Sequence, residues 1–237
     1  MRNIAAFDSD DVRECSETLR GLARTTHSME QAATAIVRCL YDELGDGNGE
    51  RACVLVRLYK THPYGSLPAD AREFARSALG ETPPDDVRCL TLLGTVGDEP
   101  AWNDRRRSRG HQAIPLPSEQ LVEQLPMVLQ LITQLGLSVS TVIRPDPDHV
   151  RKLSQQTYDV FHVPDALGSP YVPAQDFVRT HGIRSALGFG GMLFTGDFYA
   201  VVLFSRVAVS IEAAQMLKIL ALPARVPLLA HLSRVFG

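Results

Sequence analysis

The chain has 237 residues, 45% hydrophobic and 22% charged, the composition of an ordinary globular protein long enough to bury about 70% of its unfolded surface without a staple or a structural metal. Its 24 basic and 27 acidic side chains leave a net charge of −3, which speaks against a dedicated binder of nucleic acid or of an anionic membrane. The longest uninterrupted apolar run, Phe198–Phe204, falls far short of the ~20 residues that span a bilayer.

The first helix is expected from about Asp8 to Arg24. Its acidic start (Asp8, Asp10, Asp11) precedes any apolar core, so no signal peptide is expected. Val12, Cys15, Leu19 and Leu22 recur at a 3-4-3 spacing, narrower than the stripe of a helix laid on a sheet and suited to a coiled-coil seam. A second helix starts at Ser28, with Gln31 completing a capping box. Met29, Ala32, Ala33, Ile36, Val37, Leu40 and Leu44 form its apolar face, and Gly45 is expected to be its left-handed stop. After the turn 46–49, Ala52–Lys60 reads as a strand with Cys53, Leu55, Arg57 and Tyr59 on one side.

Pro68 opens a helix stopped at Gly80, and Cys89–Val96 is a second strand. A polar loop holding Trp102 and the arginines from 105 to 109 leads to a short strand at about 112–116. Ser118 caps a helical stretch that Pro126 divides and Gly136 ends. Residues 138–143 read as a strand, and 146–176 as loop, with prolines at 147, 164, 170 and 173. Arg184–Phe194 and Phe198–Val207 form a hairpin around Thr195-Gly196-Asp197; the second strand is apolar on both faces and therefore central. Ser210 caps a closing helix that Pro223 and Pro227 segment. The whole predicts an α+β fold carrying an N-terminal helix.

The hairpin itself, Gly182-Ile183-Arg184-Ser185 through Gly190-Gly191-Met192-Leu193, a Thr-Gly-Asp turn and Tyr199–Ser205, followed by Ser210-Ile211-Glu212-Ala213-Ala214, resembles the closing hairpin and helix of a GAF domain. The helix at 28–44 and the strand at 52–60 match that family's opening elements. Cys53–Pro68 and Trp102–Leu116 also look like the region that precedes histidine-kinase modules in some bacterial sensor proteins. The resemblance covers roughly residues 26–235. It implies a central antiparallel sheet with helices on both faces, residues 1–25 as a dimerisation or docking helix, and residues 26–237 as a sensory domain. Within that domain, about 100–176 would roof a small-molecule pocket and signal transduction would pass through the terminal helices.

Several clusters invite functional readings. Arg105, Arg106 and Arg107, with His111 nearby, suit anion recognition by guanidinium forks, or else a solvated loop pairing with Asp98, Glu99 and Asp104. The histidines at 62, 111, 149, 162 and 181 show no metal-ligand spacing. Asp146-Pro147-Asp148-His149 reads more simply as an Asx turn than as an ion site. A haem needs only one axial histidine and is not ruled out, with His162, between Phe161 and Val163, best placed. Gly188-Phe189-Gly190-Gly191 lies inside a strand, where glycine admits close backbone approach, and is a poor phosphate loop. No hydrolase elbow, zinc-protease motif or P-loop occurs. The four cysteines (Cys15, Cys39, Cys53, Cys89) form no CxxC pair and read as reduced thiols of a cytoplasmic protein. A few GAF-type proteins reduce methionine sulfoxide through cysteines, which keeps Cys53 and Cys89 in view.

The expected function is therefore a cytoplasmic, non-enzymatic GAF-like regulatory domain, homodimeric through its terminal helices. Its pocket would be lined by Tyr59, His62, Tyr64, Trp102, Arg105, Arg106, His111, Phe161, His162, Tyr171, Arg184 and Phe189. The alternatives are a protein-interaction adaptor with a filled pocket and a cysteine-dependent reductase. The ligand and the signalling partner are left open, and the output is expected from a separate protein or a further C-terminal module.

Overall fold

A computed structural model describes residues 1–108, 110–153 and 155–237, and all but the side chain of His149 among them. Arg109 of the arginine run and the His149 imidazole thus lie outside the described residues. The described residues form eight strands and ten α-helices. The strands are β1 (Arg2–Asn3), β2 (Leu44–Gly45), β3 (Cys53–Pro63), β4 (Arg88–Gly97), β5 (Ala113–Pro115), β6 (Phe161–Val163), β7 (Ser185–Met192) and β8 (Phe198–Ser205). The helices are α1 (Ser9–Gly21), α2 (Met29–Glu43), α3 (Ala69–Leu79), α4 (Glu119–Glu123), α5 (Pro126–Gln134), α6 (Val139–Ile143), α7 (Pro147–Leu153), α8 (Gln175–His181), α9 (Ile211–Leu217) and α10 (Ala221–Leu229).

The main sheet is antiparallel throughout, in the order β5-β4-β3-β8-β7-β6. Its central strand β8 is apolar on both faces because both are covered. On one face, Met29, Ile36 and Leu40 of α2 join Leu58, Leu93, Val201 and Leu203 of the sheet, with Leu217 and Leu228 from the C-terminal helices. On the other, α5 to α8 contribute Leu131, Val142, Val150 and Val178 over Val54, Phe161, Phe198 and Val202. This is the expected α+β arrangement, with helices on both sides of an antiparallel sheet.

Local signals set many of the boundaries. The Ser28 hydroxyl accepts from the Gln31 amide at the start of α2, Pro68 precedes α3, and Gly80 ends it at φ +82°. Pro126 sits at the first turn of α5, where a missing N–H costs nothing. In the hairpin, a Cβ on Gly190 would fall 2.1 Å from the Tyr199 carbonyl oxygen, so the glycine admits the close approach expected of it.

Four expectations are corrected. Residues 138–143 are helical: Ser138 caps α6 by accepting from the Thr141 amide, and Val139 and Val142, three apart, are buried together. Burial on one helical face has overridden the β-branched composition. The loop expected over 146–176 contains α7, β6 and the start of α8. Gly45 is not a left-handed stop: α2 ends where Leu44 turns extended, and Gly45 pairs with Asn3, where a Cβ would crowd Met1 at 2.9 Å. Finally, the α1 seam faces its own chain. Val12, Cys15 and Leu19 are buried in the same core as Leu217, Ala224 and Leu228, with Leu22 packed against it. The stripe expected to hold a dimer is covered by α9 and α10.

Among the described residues no helix is long and apolar enough to cross a membrane.

Candidate functional site

A cleft of about 500 Å³ opens between the sheet and the roof. Its floor is Leu55, Arg57 and Tyr59 of β3, Leu90 of β4, Ile114 of β5, and Val202 and Phe204 of β8. Its roof is the α4–α5 junction from Gln124 to Val128 with Leu131, and its side wall is 172–174 with Phe177 of α8. A register shift in β3 between Cys53 and Leu55 turns the alternation so that Leu55, Arg57 and Tyr59 share the cleft face, while Cys53 falls in the opposite core. Apolar side chains predominate, and none of the lining residues is acidic.

One end is closed by aromatic rings. Trp102 meets His181 at 4.8 Å between centroids and Phe177 at 5.5 Å, and Phe177 stands edge-on to Phe204 at 5.2 Å. Gly97 permits this, since a Cβ there would come 2.7 Å from the indole.

At the other end lies the polar corner. Arg57 is 9% exposed. Its Nη2 donates to Ser108 Oγ at 2.7 Å and its Nη1 to the Tyr59 hydroxyl at 3.3 Å. Its Nε is buried with no partner among the described residues. His111 borders the same corner in a left-handed backbone conformation, φ +61°. Although His111 is exposed, desolvation by the atoms packed around its ring, reinforced by the Arg57 charge, holds its imidazole below the usual histidine range.

Of the side chains expected at a pocket, Tyr59, Trp102 and His111 line this cleft; the others do not, and each has a physical reason. Phe161 is fully buried in the core layer beneath the roof. Phe189 belongs to the opposite layer, against the α2 side. His162 alternates away from Phe161 and Val163, and its Nε2 is 2.8 Å from the Val209 carbonyl oxygen, which removes the basis for haem ligation by it. His62 stands 5.5 Å from the Phe236 ring, and Tyr64 packs with Leu67, Ala71 and Cys89 near α3. Tyr171 and Arg184 are exposed.

The arginine loop is corrected most. Arg105 is a buried structural cation, donating from Nε to Glu30 at 2.6 Å and from Nη1 to Asp70 at 2.9 Å. Arg106 is exposed, 3.9 Å from Asp70. Asp98, expected to serve this loop, pairs with Arg206.

The strand alternation read from the sequence places Arg57 on the cleft face with Leu55 and Tyr59. The signal was present: one arginine inside Cys-Val-Leu-Val-Arg-Leu-Tyr is a charge in an otherwise buried run. Ser108 and Phe177 carried no such signal, because only the tertiary fold brings them to the cleft.

The thiols are held protonated. Burial pushes Cys53, Cys39 and Cys89 up to about 12 and Cys15 to about 11, so all are protonated at neutral pH, the opposite of an activated nucleophile. Among the described residues no group of three or more His, Cys, Asp or Glu side chains is placed to hold a metal ion.

No protein-family model matches the chain, and no curated protein matches it. Solved structures similar to it include the phycoerythrobilin-bound GAF domain from a cyanobacterial phytochrome, at 12% identity and a TM-score of 0.43, covering 92% of this chain and 94% of that one. The phycocyanobilin-bound GAF domain from a cyanobacterial phytochrome is similar at 10% identity and 0.43, covering 94% and 96%. The chromophore-binding domain of the R. palustris bacteriophytochrome RpBphP3 is similar at 9% identity and 0.40, covering 94% of this chain and 61% of that one.

Proposed function

We propose that this protein is a GAF-like sensory or regulatory domain that binds a small molecule in the cleft between sheet and roof and relays its occupancy through its terminal segments. The observation that carries the reading is the cleft: about 500 Å³, largely apolar, with convergent polar groups at one end, the general form of a small-molecule site. An adaptor whose pocket is filled by its own side chains would have no such space.

The relay has a physical candidate. Ser108, bonded to Arg57 on the cleft floor, is three residues from Arg105. Arg105 pairs with Glu30 at the first turn of α2 and stacks on Phe236 near the C-terminal end of the described chain. Movement of the floor arginine would thus pass through one short loop to both segments. Homodimerisation and a cytoplasmic location stay within this proposal. With the α1 stripe covered, self-association would fall to the C-terminal segment, where Ile219, Leu222 and Val226 are exposed at helical spacing.

Filling the cleft tests the reading. Val202→Phe, on its floor, is expected to leave the fold intact and abolish binding of whatever small molecule is found by native mass spectrometry of the purified protein. An adaptor would retain its partner in the same variant and carry no such molecule.

A further inference from the structure

Among the described residues three cationic side chains, Lys60, Arg105 and Arg57, lie buried, and two of them are matched by carboxylates. Lys60 meets Asp197 at 2.7 Å, and Arg105 meets Glu30 at 2.6 Å and Asp70 at 2.9 Å. Arg57 is buried as well, at 9% exposure, and has only two neutral hydroxyls, with no ion-pair partner among the described residues and its Nε unpaired. A guanidinium does not shed its proton to escape burial. An uncompensated charge in an apolar wall is costly to the folded protein, and the same sequence avoids that cost at its other two buried cations.

The surroundings say what would compensate it. Among the described residues no acidic side chain lines the cleft onto which Arg57 faces, so the missing negative charge has to arrive with the occupant. The Tyr59 hydroxyl accepts from Arg57, which leaves its own proton for a second acceptor at the same place. His111 adds a neutral imidazole. The described residues of this corner supply a single guanidinium with two neutral groups, which matches one negative charge spread over two oxygens; a phosphate dianion would call for a second cation. Apart from Gln124 on the roof, the rest of the wall, from Leu125 and Met127 to Phe177 and Phe204, is apolar.

Building on the reading of the cleft as a ligand site, we propose that its ligand is an apolar carboxylic acid, with the carboxylate on Arg57 and Tyr59 and the hydrocarbon body under the α4–α5 roof.

Trp102 is the only tryptophan in the chain and lines the cleft, so its emission reports occupancy directly. The full chain is titrated with decanoate, decanol and decylamine at pH 7.5. Decanoate is expected to bind at least about tenfold more tightly than decanol, the value of one charge-assisted pair, and decylamine more weakly than either. In Arg57→Met, decanol binding is expected to persist and the advantage of decanoate to vanish. Arg57→Gln, which keeps a donor for Ser108, serves the same purpose should the methionine variant not fold. Equal binding of decanoate and decanol, or an advantage that survives loss of Arg57, would overturn the acid while leaving the cleft as a ligand site. Failure of every alkyl probe to bind would remove the cleft as a ligand site and the acid with it.

Discussion

Arg105 lies with its guanidinium carbon 5.3 Å from the centroid of the Phe236 ring, joining the loop beside the cleft to the irregular segment 234–237. The contact is one part of a clamp. The backbone amides of Met29 and Glu30, at the start of α2, donate to the carbonyls of Arg234 and Val235 at 2.9 and 2.8 Å. Glu30, whose amide is held this way, also receives Arg105. The first turn of a helix has amides without internal partners, and here the C-terminal segment supplies the acceptors.

Removing the arginine should therefore loosen two elements together. Arg105→Ala leaves Glu30 partly buried without its cation and is expected to cost about 3 kcal/mol in urea unfolding. Amide exchange at Met29 and Glu30 should quicken. Arg105→Lys should recover only part, because an ammonium lacks the planar fork that meets Glu30 and Asp70 at once while stacking on a ring. An alanine variant within about 0.5 kcal/mol of the parent would show that the clamp is dispensable.

Arg57 predicts the opposite sign. Replacing it by methionine removes an uncompensated buried charge from an apolar wall, so the ligand-free protein is expected to gain about 1–2 kcal/mol, read as a shift in the urea midpoint without a change in slope. The Ser108 bond is lost in the same variant and sets the lower end of that range. Destabilisation by more than about 1 kcal/mol would mean that Arg57 serves the fold through Ser108 and not a ligand.

What the sequence revealed follows the range of the forces involved. Ser28, Pro68 with Gly80, Pro126 and the Thr195-Gly196-Asp197 turn act within a few residues of themselves, and each boundary they mark is found. Residues 138–143 misled because their β-branched side chains favour strands intrinsically while Val139 and Val142 are buried on one helical face. The site was less legible. Tyr59 and Trp102 declared themselves as aromatics beside loops, but Arg105 and Arg106 looked alike, and only the distant Glu30 and Phe236 make one a buried clamp and the other a solvated side chain. A 3-4-3 stripe shows that a helix has a partner, not which one.

The stripe on α1 yields a prediction of its own. Leu19 is fully buried between its helix and the C-terminal helices of the same chain. Leu19→Ala is expected to cost about 3 kcal/mol of folding stability, the usual penalty for a buried leucine cavity. The loss should be independent of protein concentration, because no second chain shares the contact. A chain beginning at Thr26 should expose Leu217, Leu220 and Leu228 and aggregate or unfold. Concentration-dependent melting of the parent that is lost in Leu19→Ala would return the seam to an interface between copies.

The last prediction concerns acid. His62 is 4% exposed; its Nδ1 lies 3.2 Å from the Lys60 carbonyl oxygen, and its Nε2 is buried with no partner among the described residues. Burial, then the neighbouring Lys60 charge, hold the imidazole down to about 3, against a weaker opposing pull from Asp197. In the unfolded chain the same ring titrates near 6.5. Between those values the unfolded state takes up a proton that the native state refuses, so stability is full above about pH 6.5 and falls as the pH is lowered toward 3. From pH 7.5 to 5.0 this single group should cost about 2 kcal/mol. Asp197, whose burial opposes ionisation but is outweighed by Lys60 and Arg88, is held below the usual carboxylate range, and its contribution is lost only as the pH falls through about 4 and below. The two are therefore separable. His62→Gln, whose amide still reaches the Lys60 carbonyl, is expected to flatten the urea-midpoint profile between pH 7.5 and 5.0 and to leave the steep loss below pH 4 in place. A variant profile parallel to the parent's across the upper window would show that His62 is protonated in the native protein and that its burial is not what limits stability in acid.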